Sequence, residues 1–305
     1  MPEDLSATPL LALSNQLAQL AEGAGGSVVG IRSQGRLVAC GFVFNAGAVV
    51  TASDALQADV ELSLLSAGAT TSTARLAGRD PTTDIAVLRV DGGLPGSALA
   101  AVAGAVKVGQ LAVAVGRGSD GLIASMGIVA VAGGAWQSAR GGNIDRLIRL
   151  DMRLNPRAEG GLVVDAEGRP MGMAVLGPRQ RPLVIPVATI ERVAGKLLQE
   201  GRIPRGYLGV GLHPIRLDEV LATTHSLADR RAIMVISVDP NGPASRAGLL
   251  VGDVIVGFDG AAVASIRALS SRLTPESVGR AAELKVVRAG QSQSVTVTIG
   301  ASQTP

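Results

Sequence analysis

Short apolar runs broken by glycine and other turn residues are the feature that most limits how this chain can fold. About a dozen such runs lie between residues 26 and 187, and VVGIRS, RLVACGFVFN, DIAVLRV and PLVIPV are clear examples. The chain has 40 glycines in 305 residues, close to twice the average usage. Runs of this length between turn residues are typical of strands. The pattern predicts an all-β barrel or a pair of barrels.

Two segments have helical spacing instead. Leucines at positions 10, 11, 13, 17 and 20 predict a short amphipathic helix in an N-terminal segment, residues 1–24. Apolar residues at 187, 190, 193, 194, 197 and 198 predict a second helix that ends at Gly201. The strand-rich region is then residues 25–200, a linker covers 201–206, and residues 207–301 form a second domain of mixed strands and helices.

Composition excludes several kinds of protein. The net charge is +3 and no basic stripe with interleaved aromatic residues occurs, so nucleic acid is not an expected partner. Cys40 is the single cysteine, which rules out an intrachain disulfide and favours a small core residue. No cluster of residues has metal-ligand spacing, and no cofactor is implied. Aromatic residues are only 2% of the chain, so the core is expected to consist of Val, Leu, Ile and Ala.

The beginning of the sequence bears on cellular location. It carries acidic residues where a secretion signal needs basic ones, and Ser14, Asn15 and Gln16 interrupt its apolar run. No stretch is long enough to span a membrane. The expectation is therefore a cytoplasmic protein, or a periplasmic one if the sequence is a trimmed mature form.

Four motifs occur in a characteristic order. DPTTDIAVLRV starts at Asp80, LNPRAEGGLVVDAEGRPMGMAV at Leu154, RGYLGV at Arg205 and PNGPASRAGLLVGDVIVGFDG at Pro240. This order resembles the high-temperature-requirement family of serine proteases, the DegP-like proteins, with one protease domain and one PDZ domain. The resemblance covers nearly the whole chain. It implies a mainly β fold, a trypsin-like double β-barrel followed by an α+β PDZ domain.

The family cuts peptides with a Ser-His-Asp triad, and the resemblance assigns the three positions here. Asp84 matches the aspartate, Asp54 stands at the histidine position and Glu159 stands at the serine position. The loop that forms the oxyanion hole in the family corresponds to Arg157 and Ala158, and Arg157 replaces a glycine. That replacement is expected to disturb the catalytic turn.

The residue types at these positions predict a protein that is not an enzyme. The two histidines are His213 and His225, both in the PDZ half, and an unperturbed carboxylate with a pKa of about 4 is a poor base at neutral pH. The favoured interpretation is a pseudoprotease with a decayed site. Two alternatives stay open: a hydrolase with an unorthodox site, and a cation sensor built from the three carboxylates.

Charge balance at this site is a further expectation. Three converging carboxylates repel unless they are protonated or neutralised. Arg153 and Arg157 lie close in sequence to Glu159 and are predicted to supply the positive charge.

The PDZ half matches its family pattern without such replacements. The stretch Tyr207, Leu208, Gly209 and Val210 corresponds to the loop whose N–H groups receive a peptide carboxylate, with the peptide lying as a strand beside residues 209–213. Ile266 and Leu269, on a helix expected over residues 266–273, should form the apolar wall. The resemblance thus implies binding of protein or peptide C-termini in a regulatory or scaffold role.

A homo-oligomer is a further expectation from the resemblance. Family members trimerise through aromatic residues near the N-terminus, but no aromatic residue precedes Phe42 here. A trimer of that kind therefore lacks its usual contacts in this sequence.

Overall fold

A computed structural model describes residues 8–56, 61–94, 106–224 and 230–302 of the chain. The chain divides into two compact units, Met1–Ile203 and Pro204–Pro305, close to the predicted linker, although the finer domain bounds stay a prediction. His225 lies outside the described residues. Within the described ranges, no helix has both the length and the apolar character needed to cross a membrane.

The first unit begins with a helix, α1 (Pro9–Gly25), that contains the predicted leucines. A closed six-stranded barrel follows, with strand order β1-β2-β3-β6-β5-β4. Its strands are β1 (Val28–Ser33), β2 (Arg36–Asn45), β3 (Ala48–Ala52), β4 (Leu62–Leu65), β5 (Thr71–Asp80) and β6 (Ile85–Val90).

A second closed barrel has the order β11-β14-β13-β12-β7-β8. The strands of this half are β7 (Leu111–Gly118), β8 (Gly121–Ala132), a small hairpin of β9 (Trp136–Gln137) and β10 (Asn143–Ile144), then β11 (Ile148–Asp151), β12 (Leu162–Asp165), β13 (Pro170–Leu176) and β14 (Pro182–Pro186). The prediction of a double β-barrel is confirmed. Helix α2 (Val187–Glu200) closes the unit and ends, as predicted, at Gly201, which adopts φ +73°.

One apolar core joins the two barrels and α2. Phe42 and Val50 from the first barrel pack in the same cluster as Val113 and Met173 from the second, and Leu197 from α2 completes it. All five side chains are 2% exposed or less. The loops at the junction of the barrels are therefore fixed relative to one another by a shared core.

The second unit contains a β-sheet whose main order has five strands, together with short helices. It contains β15 (Gly206–Tyr207), β16 (Val210–Arg216), α3 (Glu219–Thr224), β17 (Arg231–Val238), α4 (Pro243–Arg246), β18 (Val254–Phe258), β19 (Ala261–Ala262), α5 (Ile266–Ser270), β20 (Ala281–Arg288), β21 (Gln291–Thr298) and β22 (Gly300–Ala301). The main path runs β16-β17-β18-β20-β21, and β16 forms one edge.

One local prediction in this unit was wrong. The helix expected over residues 266–273 is shorter, because α5 stops at Ser270. Before β16, Gly209 turns the chain with φ +79°, and the Leu208 carbonyl accepts the Ala244 N–H at 2.7 Å.

A buried arginine fastens α1 to the first unit. Arg117 is 9% exposed. Its Nε donates to the Val28 carbonyl at 2.8 Å and its Nη2 to the Gly25 carbonyl at 2.6 Å. Burial lowers the pKa of Arg117 from its usual value. The last carbonyls of a helix have no partner within the helix, so this guanidinium satisfies one of them.

We expect Arg117→Met to lower the free energy of unfolding by about 2–4 kcal/mol, because two buried carbonyls lose a charged donor. Urea denaturation measures the change. The matched control is Arg75→Met, since the Arg75 side chain is 81% exposed and lies 3.9 Å from its partner Asp91; its effect should stay below about 0.5 kcal/mol. Equal losses in the two variants would contradict the anchoring role.

Candidate functional site

The loop after β3 and the turn before β6 hold the first two candidate residues together. The Asp54 N–H donates to Asp84 Oδ1 at 2.8 Å, and the Ser53 N–H donates to the Asp84 carbonyl at 3.2 Å. Asp84 has φ +57°, a left-handed conformation that aspartate tolerates better than most residues. The motif around Asp84 therefore places its carboxylate directly against the loop that carries Asp54.

The turn that presents Asp84 is built by Asp80. Its Oδ1 accepts the Thr82 hydroxyl at 2.6 Å and its Oδ2 accepts the Thr83 hydroxyl at 2.8 Å. Short polar side chains of this kind stabilise turns by bonding to nearby groups. The first aspartate of the DPTTD motif is thus structural, and the second is the one that faces the site.

The charge partner at this site is Arg140. Its Nη1 lies 2.6 Å from Asp54 Oδ1 and also donates to the Pro81 carbonyl at 3.1 Å. The sequence analysis named Arg153 and Arg157, which are near Glu159 in sequence, as the source of positive charge, whereas the ion pair of Asp54 is with Arg140. Arg140 lies 86 residues from Asp54 along the chain, so the local sequence gave no indication of this ion pair. The Ser138 hydroxyl holds its loop by donating to the Thr82 carbonyl at 2.6 Å.

The third candidate, Glu159, follows a short 3-10 helix, Pro156–Ala158, that Asn155 caps through its side chain. Its Oε1 accepts the Leu176 N–H at 2.9 Å, and its carbonyl accepts the Cys40 N–H at 2.9 Å. The side chain is half-buried. Both the side chain and the backbone of Glu159 are therefore fixed at the junction of the two barrels.

The remaining loop residues have structural contacts. Ala158 is buried at 1% exposure in the core of the second barrel. Arg157 is exposed, and its carbonyl accepts the Cys40 thiol at 2.9 Å. The left-handed turn falls at Gly160, with φ +82°, where a Cβ would lie 2.2 Å from the Cys40 carbonyl. Glycine is thus required at 160, while Arg157 fits the 3-10 helix.

Burial dominates the protonation of this cluster. It raises the pKa of Asp84 to about 7; the Asp54 N–H lowers that pKa, the negative charges of Asp54 and Glu159 raise it further, and Arg140 lowers it. Burial also raises the pKa of Glu159, against the lowering effect of the Leu176 N–H. The three carboxylates thus act on one another, and Asp84 exchanges its proton near neutral pH.

The cluster of Asp54, Asp84 and Glu159 is not arranged as a metal centre. Over the residues that the structure describes, no group of three or more His, Cys, Asp or Glu side chains has the geometry to hold an ion. The cation-sensor alternative therefore gains no structural support.

The six predicted PDZ residues line one concave surface. Tyr207, Leu208, Gly209 and Val210 form one side of a groove of about 250 Å³, and Ile266 and Leu269 of α5 lie on the other; the lining is completed by Gly206, Leu212, Ser270 and Leu273. We call this surface the PDZ groove. The sequence analysis did not name these four as site residues, although Leu212 lies within the predicted peptide-pairing stretch 209–213, and Ser270 and Leu273 lie within the helix predicted to form the other wall.

The backbone at the mouth of the groove is open. Within the described ranges, the N–H groups of Leu208 and Gly209 donate to no acceptor. The Tyr207 hydroxyl donates to Asp239 Oδ2 at 3.0 Å, which fixes the start of the loop. Gly209 is tightly surrounded, because a Cβ there would lie 3.1 Å from the Gly242 Cα.

Family comparisons match both units. The trypsin-like peptidase domain matches residues 39–173 and the PDZ domain matches residues 206–299. A probable periplasmic serine endoprotease, DegP-like, from Brucella suis biovar 1 (strain 1330) is 32% identical over 240 residues, covering 75% of this chain and 45% of that protein. The corresponding protein of Halomonas elongata is also 32% identical, with 74% and 48% covered. The chain spans about half the length of these curated relatives.

Solved structures show the same architecture. The HtrA-type protease AlgWS227A with decapeptide has a TM-score of 0.75 and 25% identity, covering 95% of this chain and 98% of that one. The serine endoprotease from Yersinia pestis has a TM-score of 0.71 and covers 94% and 98% of the two chains. At 24% identity this second likeness speaks for the fold alone.

The prediction that this chain is not an enzyme is contradicted by the relatives, which are named serine endoproteases. Its physical basis was also incomplete. It assumed a carboxylate pKa of about 4, whereas burial brings the pKa of Asp84 to about 7. The cytoplasmic location expected from the sequence likewise finds no support, since these relatives are named periplasmic.

The raised pKa of Asp84 predicts a specific dependence of stability on pH. Between pH 4 and 7 the folded protein holds the Asp84 proton and the unfolded protein does not, so stability from this group is lost as pH rises through 7. Asp84→Asn keeps an oxygen that accepts the Asp54 N–H but carries no charge. We expect the difference in free energy of unfolding between this variant and the wild type to shift in favour of the variant by about 1–3 kcal/mol from pH 5 to pH 8.

Urea denaturation at the two pH values measures this gain, and a carbon NMR titration of the Asp84 carboxyl gives its pKa directly. Asp91→Asn is the control, because that side chain is 74% exposed. A difference between wild type and Asp84→Asn that stays constant with pH would show that Asp84 titrates as an ordinary aspartate.

Proposed function

This chain is HtrA/DegP-like, with a trypsin-like domain followed by one PDZ domain, and we propose that its PDZ groove binds the free C-terminal ends of peptides or proteins. The role that fits such binding is regulatory or scaffolding, in which a partner is held by its tail. The periplasmic names of the relatives make the ends of periplasmic proteins the natural source of these tails.

The observation that carries the proposal is the pair of backbone donors, Leu208 and Gly209, at the mouth of an apolar groove. Backbone N–H groups that converge without an acceptor favour an anion. A terminal carboxylate offers the required charge, and the side chain beside it can enter the space between Val210, Ile266 and Leu269.

The groove also offers an open sheet edge. Because β16 is the terminal strand of its sheet, a peptide that enters can continue as an added antiparallel strand. Carboxylate capture fixes the end of the peptide, and the edge fixes its direction. The structural neighbour AlgWS227A is described with a decapeptide, which agrees with peptide recognition in proteins of this architecture.

We expect the full chain to bind a peptide that ends in an apolar residue with a free carboxylate about tenfold to a hundredfold more tightly than the same peptide with an amidated end. Amidation removes the charge that the Leu208 and Gly209 donors recognise, and charge-assisted hydrogen bonds contribute about 1.5–3 kcal/mol. Fluorescence anisotropy with a labelled peptide gives the two dissociation constants.

A pair of variants tests the same site from the protein side. Ile266→Asp places a negative charge in the apolar wall and should weaken the free-acid peptide by a comparable factor. Val220→Asp adds the same charge on α3, where Val220 is 76% exposed, and should leave binding unchanged. Equal affinity for the acid and the amide would refute the proposed recognition of C-termini.

The carboxylate cluster supports a second candidate function, hydrolysis at an unorthodox site. The Asp84 carboxyl, whose pKa is raised to about 7 by burial, accepts the Asp54 N–H at 2.8 Å, and the Asp54 side chain is ion-paired with Arg140. A carboxyl group whose environment raises its pKa can serve as the general acid of a hydrolase. In this candidate the Asp84 carboxyl donates a proton to the substrate while a neighbouring carboxylate takes one from water.

This candidate predicts cleavage of an unfolded casein substrate that falls at least about tenfold in Asp84→Asn, because general acid–base catalysis contributes about a hundredfold or more. Asp91→Asn, purified in parallel, is the control and should cleave like the wild type. Gel-based rates between pH 4 and 8 measure the effect. Cleavage that survives Asp84→Asn, or that a serine-directed fluorophosphonate abolishes, would exclude this chemistry.

A further inference from the structure

The pairing of β16 with β17 determines which backbone groups of β16 face the open edge of the sheet. Both backbone groups of Val235 on β17 point away from β16. Its N–H donates to the Asp253 carbonyl at 2.8 Å, and its carbonyl accepts the Gly252 N–H at 2.8 Å. Leu212 is the register partner of Val235 on β16. In an antiparallel pair, partners are either bonded to each other by both groups or not at all. The N–H and carbonyl of Leu212 therefore point to the open edge.

Pro214 occupies the next outward position. The register runs without a shift from Leu212↔Val235 to Pro214↔Ile233 and on to Arg216↔Arg231. Because backbone groups alternate along a strand, the backbone nitrogen of Pro214 points the same way as that of Leu212. Proline has no N–H to donate. The ladder between β16 and β17 loses nothing by this, which explains why a proline is accommodated within β16.

The helix on the other side of the PDZ groove, α5, is short. Helix α5 has five residues, which rise about 7.5 Å in total, the length of two to three residues of an extended strand. The groove lining on β16 extends as far as Leu212, and neither His213 nor Pro214 belongs to it. On β16, the lining of the PDZ groove therefore ends before Pro214.

We propose that Pro214 ends the main-chain pairing of a bound peptide, so that the groove recognises about the last three residues of its ligand. This inference rests on the proposed function of the same groove. With the terminal carboxylate at Leu208 and Gly209, the third residue from the end pairs with Leu212 through both backbone groups. The fifth residue from the end lies opposite Pro214, whose carbonyl can accept a hydrogen bond but whose ring nitrogen has no N–H to donate.

The ligand class follows from this geometry. A partner needs only a short free tail with an apolar last residue, and the sequence upstream of the third residue contributes little to affinity. Proteins whose ends are ordered almost to the terminus therefore qualify as ligands, in addition to long extended peptides.

The test compares an N-acetylated tripeptide with an N-acetylated heptapeptide that ends in the same three residues, both bound to the full chain by titration calorimetry. The wild type should bind the two within about twofold of each other. Pro214→Ala restores an N–H at this position and should tighten the heptapeptide about twofold to tenfold, the effect of one hydrogen bond, without changing the tripeptide. The ratio of the two dissociation constants removes any effect of the substitution on stability.

His213→Ala is the matched control. His213 is the residue next to Pro214, its backbone groups face β17, and its side chain lies on the sheet face opposite to Leu212. It should leave the ratio of the two dissociation constants at its wild-type value. A shift in the His213→Ala ratio as large as that in Pro214→Ala would overturn the assignment to the missing N–H.

The outcomes separate this inference from the function on which it rests. If both peptides bind and their amidated forms do not, but the wild type prefers the heptapeptide tenfold or Pro214→Ala changes neither, recognition of C-termini stands and the role of Pro214 is overturned. If amidated and free peptides bind alike, or neither peptide binds, the proposed function fails and this inference fails with it.

Discussion

The two barrels are joined by one apolar core, and the geometry of the candidate site depends on that shared packing. Buried side chains from both barrels and from helix α2 form a single cluster, with Phe42 and Met173 completely enclosed. The hydrogen bond from the Cys40 N–H to the Glu159 carbonyl crosses from the first barrel to the second at the same junction. Because densely packed interiors deform little, the loops that carry Asp54, Asp84 and Glu159 stay close to one another.

Closeness of three acidic groups has an electrostatic consequence. Burial opposes ionisation of Asp84, and its neighbours of like charge add to that effect, while a single ion pair with Arg140 compensates Asp54. The result is a proton exchanged near neutral pH in a domain whose 203 residues contain no histidine. Desolvation can therefore bring the titration of a carboxyl group into the neutral range.

The PDZ unit shows how few residues define a recognition groove. Gly209 turns the backbone so that two N–H groups are left for a ligand, and Leu212 supplies the outward pair on the edge strand. The ring of Pro214 occupies the next outward position on that edge and has no N–H to offer. In the proposed binding mode, recognition is concentrated on the terminus of a partner, because Pro214 offers a carbonyl but no N–H to a peptide residue further upstream.

The sequence by itself determined the elements and the motifs. Alternating apolar runs specify strands whatever their partners, glycine at 201 specifies the end of α2, and the DPTTD and YLGV motifs specify local turns, because these depend on residues near one another in the chain. The pairing of Asp54 with Arg140, the raised pKa of Asp84 and the outward direction of Leu212 and Pro214 were decided only by the tertiary structure. Each depends on which distant segments pack together and on how much water they exclude, and neither quantity is encoded in local spacing.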